Sequence, residues 1–188
     1  MSISGHKIGG PQGVGALILE DTDSFHPLAI GGGQERKRRA GTENLPGIVG
    51  FGAAASIMAS NKKLMTKVSR IRDDLESRVL SSSSNIQIYG RKAARLPNTS
   101  CVSMPGVPAD EQVAAMDLKG FMISAGSACS SGKVEPSHVL TAMGASKLEA
   151  AEAIRVSLGW NTTVNDIERF FAAWGDLYDK TQRRASAA

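Results

Sequence analysis

Apolar residues recur at spacings of three or four over positions 46–81. Ile48, Phe51, Ala55 and Met58 are followed by Met65, Val68, Ile71, Leu75 and Val79. This is the period of a helix with one buried face. Asn44 suits a side-chain cap and Pro46 the first turn. Gly50 and Gly52 weaken the start by about 1 kcal/mol each relative to alanine. The polar patch Ser60-Asn61-Lys62-Lys63 predicts a bend or a break. A second long helix begins at Thr163-Val164-Asn165-Asp166, which has capping-box spacing. Its stripe is Ile167, Phe170, Phe171, Trp174 and Tyr178. Shorter helices are expected over Ala109 to Leu118, Pro136 to Met143 and Lys147 to Ala153. The first two are closed by Gly120 and Gly144.

Between the helices lie short apolar runs. Gly13 to Leu19 suits a buried strand, and Ile86 to Tyr89 alternates. Ser100 to Met104, Phe121 to Ser124 and Ile154 to Leu158 are further strand candidates. Two domains are expected. Residues 1–45 read as strands and glycine loops at the edge of a larger sheet. Residues 46–188 read as an α+β unit with helices on one face of a small sheet.

Composition narrows the classes. The 188 residues are 41% hydrophobic and 21% charged, as in an ordinary soluble globular protein. No run reaches the length of a membrane span, and the start lacks a signal-peptide layout. The expectation is a cytoplasmic protein with no membrane partner. Two cysteines, Cys101 and Cys129, exclude a disulfide scaffold and a four-cysteine metal site. No Cys/His pair has ligand spacing, so no metal is expected. Aromatics at 5% disfavour a stacking nucleic-acid reader. The net charge of +4 is unevenly spread, with Arg36, Lys37, Arg38 and Arg39 in sequence. So small a cluster suits a phosphate group better than a duplex.

Three segments carry candidate chemistry. Ser4-Gly5-His6-Lys7 puts a hydroxyl, an imidazole and an amine ahead of a glycine-rich stretch. A lysine desolvated in such a loop can have a lowered pKa and form a Schiff base with an aldehyde. A solvated lysine is the competing reading. Cys129 lies in Ser124-Ala125-Gly126-Ser127-Ala128-Cys129-Ser130-Ser131-Gly132, where small neighbours leave sulfur unshielded, as a nucleophilic thiol requires. Cys101, inside an apolar strand pattern, reads as packing. Arg155 lies between Ile154 and Val156, so on a strand it faces away from both. It could grip a carboxylate through its two parallel N–H groups, or simply face solvent. His26 and His138 read as structural.

Taken in order, these segments resemble the C-terminal half of the cysteine desulfurases, the NifS/IscS-like branch of class V aminotransferases. Ser4 to Gly15 resembles the cofactor-lysine motif, and Gly31 to Asn44 a second signature. Leu96 to Ser100 fits a third, Ser127 to Leu140 the catalytic-cysteine loop, and Ile154 to Gly159 the substrate-arginine strand. The resemblance implies an α/β fold: the end of the large-domain sheet of a fold-type I transferase, plus the small C-terminal α+β domain. It implies pyridoxal 5′-phosphate held on Lys7, with Ser4 and His6 on its phosphate. Thr42 would reach the phosphate bound by the other subunit of a homodimer, and Arg155 would hold the carboxylate of L-cysteine. Cys129 would take the sulfur as a persulfide and release L-alanine. A scaffold for iron–sulfur cluster assembly or another sulfur acceptor would receive it. The family's N-terminal half has no counterpart here, so the chain is expected to need a complementary chain. A non-catalytic docking or dimerisation domain is the alternative.

Overall fold

The computed structural model describes residues 1–21, 24–126 and 136–186. The chain divides into two compact units, Met1–Lys62 and Lys63–Ala188. The division therefore falls well after residue 45, the boundary expected from composition. The reason is local: the helix that follows residue 44 packs on the turn that carries Lys7.

In the first unit, β1 (Ser2–Ser4) pairs antiparallel with β2 (Gly15–Leu17). A 3-10 turn over Gly5–Ile8 lies between them. Gly15 is dictated by this pairing, since a Cβ there would collide with the carbonyl oxygen of Ile3. The predicted buried strand is thus shorter than its apolar run, and Leu17 is exposed. A single turn, α1 (Gln34–Lys37), precedes α2 (Leu45–Ser60). Asn44 caps α2, its Oδ1 accepting from the Gly47 amide at 3.2 Å. α2 ends at Asn61, in the polar patch expected to break the helix.

The second unit opens with α3 (Lys62–Ser82). Its sheet orders β3 (Ile88–Tyr89), β4 (Thr99–Ser103), β6 (Ala153–Ser157) and β5 (Ser124–Ala125), all antiparallel. α4 (Ala109–Asp117), α5 (His138–Ala142), α6 (Lys147–Ala151) and α7 (Val164–Ser186) complete it. α3 presents Val68, Ile71, Leu75 and Val79 to the main core. There they meet Val102, Met104, Met116, Ile154 and Trp174. Each fully buried apolar side chain of this size stabilises by roughly 1.5–3 kcal/mol. Phe121 to Ile123 are not strand, although Phe121 packs edge-on against Phe170, ring centroids 5.6 Å apart.

Helices do not keep to one side of this sheet. Leu140, Ala145 and Ala150 form a smaller cluster with Ala153, Tyr89 and Cys101. Ala153 alternates with Ile154 along β6, so α5 and α6 cover the face opposite the main core. The two short helices lie within their expected ranges, as His138–Ala142 and Lys147–Ala151, but local sequence does not say which sheet face a short helix meets.

Candidate active site

Ser4, His6 and Lys7 are set by one local device. The amide of Gly5 donates to the Val14 carbonyl at 2.9 Å, and that of Gly10 to the Gly5 carbonyl at 2.9 Å. Gly5 is buried. A Cβ there would come within 3.0 Å of both Val14 Cγ1 and the Val14 oxygen. Gly9 ends the turn at φ 84, a left-handed conformation glycine adopts without penalty. The glycines thus let a tight turn close against β2 and lift His6 and Lys7 outward. Ser4 Oγ lies 2.9 Å from His6 Nδ1. With the hydroxyl donating, the ring proton sits on Nε2, free to meet an anion. Lys7 is exposed in its unit and makes no ion pair among the described residues. Of the two readings the sequence leaves open, this unit by itself presents the solvated one, with the Lys7 side chain exposed on its turn.

This donor set fits a phosphorylated aldehyde. A primary amine can bond the carbonyl carbon, while a hydroxyl and an imidazole N–H suit phosphate oxygens.

Thr42 is exposed in the loop between α1 and α2, just after Gly41 at φ 96. Ahead of it, Glu35, Arg36 and Lys37 have φ of 47, 54 and 65. Three consecutive left-handed residues with side chains are costly, about 1–2 kcal/mol each. Such strain concentrates where a backbone must present groups in a fixed direction. This strain is not legible in the basic cluster itself, because no glycine or asparagine marks these positions.

Arg155 belongs to the second unit, at the middle of β6. Ile154 and Val156 are buried in the main core while Arg155 is half-buried on the other face. Register aligns Tyr89, Cys101, Arg155 and Ser124 in one row across all four strands. Burial pushes the Cys101 thiol up, with the Arg155 charge working against it. Burial also pushes the Tyr89 hydroxyl up, and the Glu149 charge adds to this. The row holds no carboxylate, and Arg155 makes no ion pair among the described residues. Its row neighbours were not legible from the sequence, since strand register is set by partners distant along the chain. Cys101 is half-buried against α5 and α6 rather than deep in the core. Cys129 lies outside the described residues. His138 starts α5 exposed, and Ser137 provides the cap.

Solved structures similar to this chain include NifS-like proteins. That from Rickettsia africae ESF-5 superposes with a TM-score of 0.82 at 40% identity, over 95% of this chain and 47% of the other. A model of the aminotransferase class-V family matches residues 1–170, and the chain belongs to that family. Among curated relatives, a cysteine desulfurase of Trichormus azollae is 40% identical over 96% of this chain. A cysteine desulfurase of Cereibacter sphaeroides is 41% identical over 96%. The chain spans 45% and 46% of their respective lengths. Among the described residues no helix is long and apolar enough to cross a membrane.

Proposed function

We propose that this chain carries the lysine, cysteine and arginine of a cysteine desulfurase that uses pyridoxal 5′-phosphate and takes sulfur from L-cysteine. The observation that carries this reading is the Ser4–His6–Lys7 turn, in which a hydrogen-bonded hydroxyl–imidazole pair stands beside an amine with no ion pair among the described residues. Relatives named cysteine desulfurase support it over nearly the whole chain.

Lys7 would hold the cofactor through Nζ, and Ser4 Oγ with His6 Nε2 would hold its phosphate. When bound, the cofactor supplies an electron sink for the substrate carbon. Lys7 Nζ, a primary amine, would also take and return protons at the substrate carbon. Arg155, with no carboxylate in its row, would orient the substrate carboxylate. The Cys129 thiolate would attack the substrate sulfur. A sulfur–sulfur bond forms, the carbon–sulfur bond breaks with its electron pair left on carbon, and carbon takes a proton to give L-alanine. The persulfide sulfur would then pass to an acceptor serving iron–sulfur cluster assembly in the cytoplasm.

The first unit exposes Leu28 and Ile30 almost fully, and Leu45 at 66%. α2 buries only Gly47 and Ala54. A helix this apolar is normally covered. We assign the cover to a second polypeptide, either another copy of this chain or a complementary chain, with residues 1–45 belonging to the cofactor-binding domain of the assembly. The test is to supply pyridoxal phosphate and L-cysteine, alkylate, and map sulfur by mass spectrometry. One extra sulfur on Cys129 with matching alanine is expected. Sulfur on Cys101 alone, or alanine unchanged by Cys129→Ser, would overturn the assignment.

A further inference from the structure

The second unit has a groove of about 620 Å³ between α3 and the start of α7 that the proposed chemistry does not use. Its lining includes Lys63, Thr66, Lys67 and Arg70, four positions spaced as one face of α3, together with Ile71 and Val164. Ile71 is buried, so it forms a floor, and Val164 is half exposed at the rim. Lys63, Lys67 and Arg70 make no ion pair among the described residues. The nearby carboxylate of Asp166 is already committed. It accepts from the Thr163 amide at 2.9 Å and the Thr163 hydroxyl at 2.7 Å, closing the α7 cap. Three cations with no ion pair among the described residues therefore flank an apolar floor, with no acid in the lining.

We propose that this groove docks an acidic, amphipathic segment of a partner protein. The charge pattern selects this occupant. Positions 63 and 70 are about 10 Å apart along the helix at 1.5 Å per residue. One phosphate cannot bridge that span, whereas two helical turns with carboxylates at matching spacing can. An apolar floor gives nothing to a sugar–phosphate backbone and suits the apolar face of such a segment. The rim charges set the rate of encounter and its salt dependence, while the floor holds the bound segment. This inference is independent of the cofactor and can be read without it.

The test uses the full chain and a fluorescein-labelled eleven-residue peptide. The peptide has glutamate at its first, fifth and eighth positions and leucine and alanine between. Anisotropy in low salt should show saturable binding. The double substitution Lys67→Glu, Arg70→Glu should weaken it by about tenfold or more, the scale expected for reversed rim charges. The glutamine version of the peptide should lose a similar factor, and Val164→Ser should weaken binding several-fold. Lys92→Glu, a cation outside the groove, should change nothing. If charge reversal lowers the helical circular dichroism, Lys67→Gln with Arg70→Gln replaces it, with a several-fold loss expected. Absence of saturable binding, or equal affinity of the groove variants, would overturn the proposal. So would charge-dependent binding to phosphatidylserine vesicles without binding to the peptide, which would make the surface a membrane contact.

Discussion

Replacing Arg95 should destabilise the second unit more than any exposed charge change. Glu76 on α3 is 2% exposed, yet it is ionised and fully engaged. Arg95 donates to both its oxygens, each at 2.6 Å, and the Ser100 hydroxyl donates at 2.7 Å. Burial on its own raises the Glu76 carboxyl. The hydrogen bonds from Arg95 and Ser100, with the charges of Arg95 and Arg72, outweigh burial and hold it below the usual carboxylate range. Arg95→Ala leaves that carboxylate buried with one hydroxyl donor. Removing one partner of such a pair costs about 3–5 kcal/mol. At about 2–4 °C per kcal/mol for a chain of this size, the melting temperature should fall by roughly 6–20 °C. The pH dependence gives a second reading. Because the folded value is depressed, Glu76 contributes stability above its unfolded value near 4.5, lost as pH falls through the folded value. Arg95→Ala should flatten this acid limb. Denaturant unfolding of the parent, Arg95→Ala, Glu76→Gln and the double variant, repeated from neutral to acid pH, measures both. A cost below about 1 kcal/mol would mean that the pair behaves as an exposed ion pair and that the argument is wrong.

Other outcomes follow from the same structure. Trp174→Phe removes the indole donor that Gln112 Oε1 accepts at 3.2 Å inside the core, and should cost about 1–3 kcal/mol by denaturation. Ser146→Ala breaks the capping box with Glu149 and should cost about 1 kcal/mol. Arg36→Gly relieves a residue held at φ 54 and should leave the first unit as stable or more stable, by up to about 1 kcal/mol. Gly5→Val forces a branched side chain against Val14, so the turn must shift and Lys7 labelling by a cofactor aldehyde should collapse.

Local signals were legible where they are strong. The break between α2 and α3 follows from four polar residues, and the Asn44 and Thr163 caps from residue type. Arg155 facing away from Ile154 and Val156 follows from strand alternation alone. Long-range features were not. Which face α5 and α6 cover, and the row placing Cys101 beside Arg155, depend on pairings tens of residues apart. The expected strand at Phe121 to Ser124 shrank to Ser124–Ala125 because Phe121 and Ile123 bury their side chains on the core without pairing. The choice between a desolvated and a solvated Lys7 depends on neighbours that a motif does not report. The Lys63–Lys67–Arg70 face escaped because cations on an amphipathic helix read as ordinary solvated surface until the α7 cap closes the groove beside them.

The central claim is that Lys7 is the residue that takes the cofactor. The most direct measurement is borohydride reduction of the purified chain mixed with pyridoxal phosphate, followed by peptide mass mapping. The account predicts a pyridoxyl group concentrated on Lys7 and diminished when Ser4 and His6 are replaced by alanine. An unmodified Lys7 in a folded chain, or label spread evenly over the exposed lysines, would contradict it.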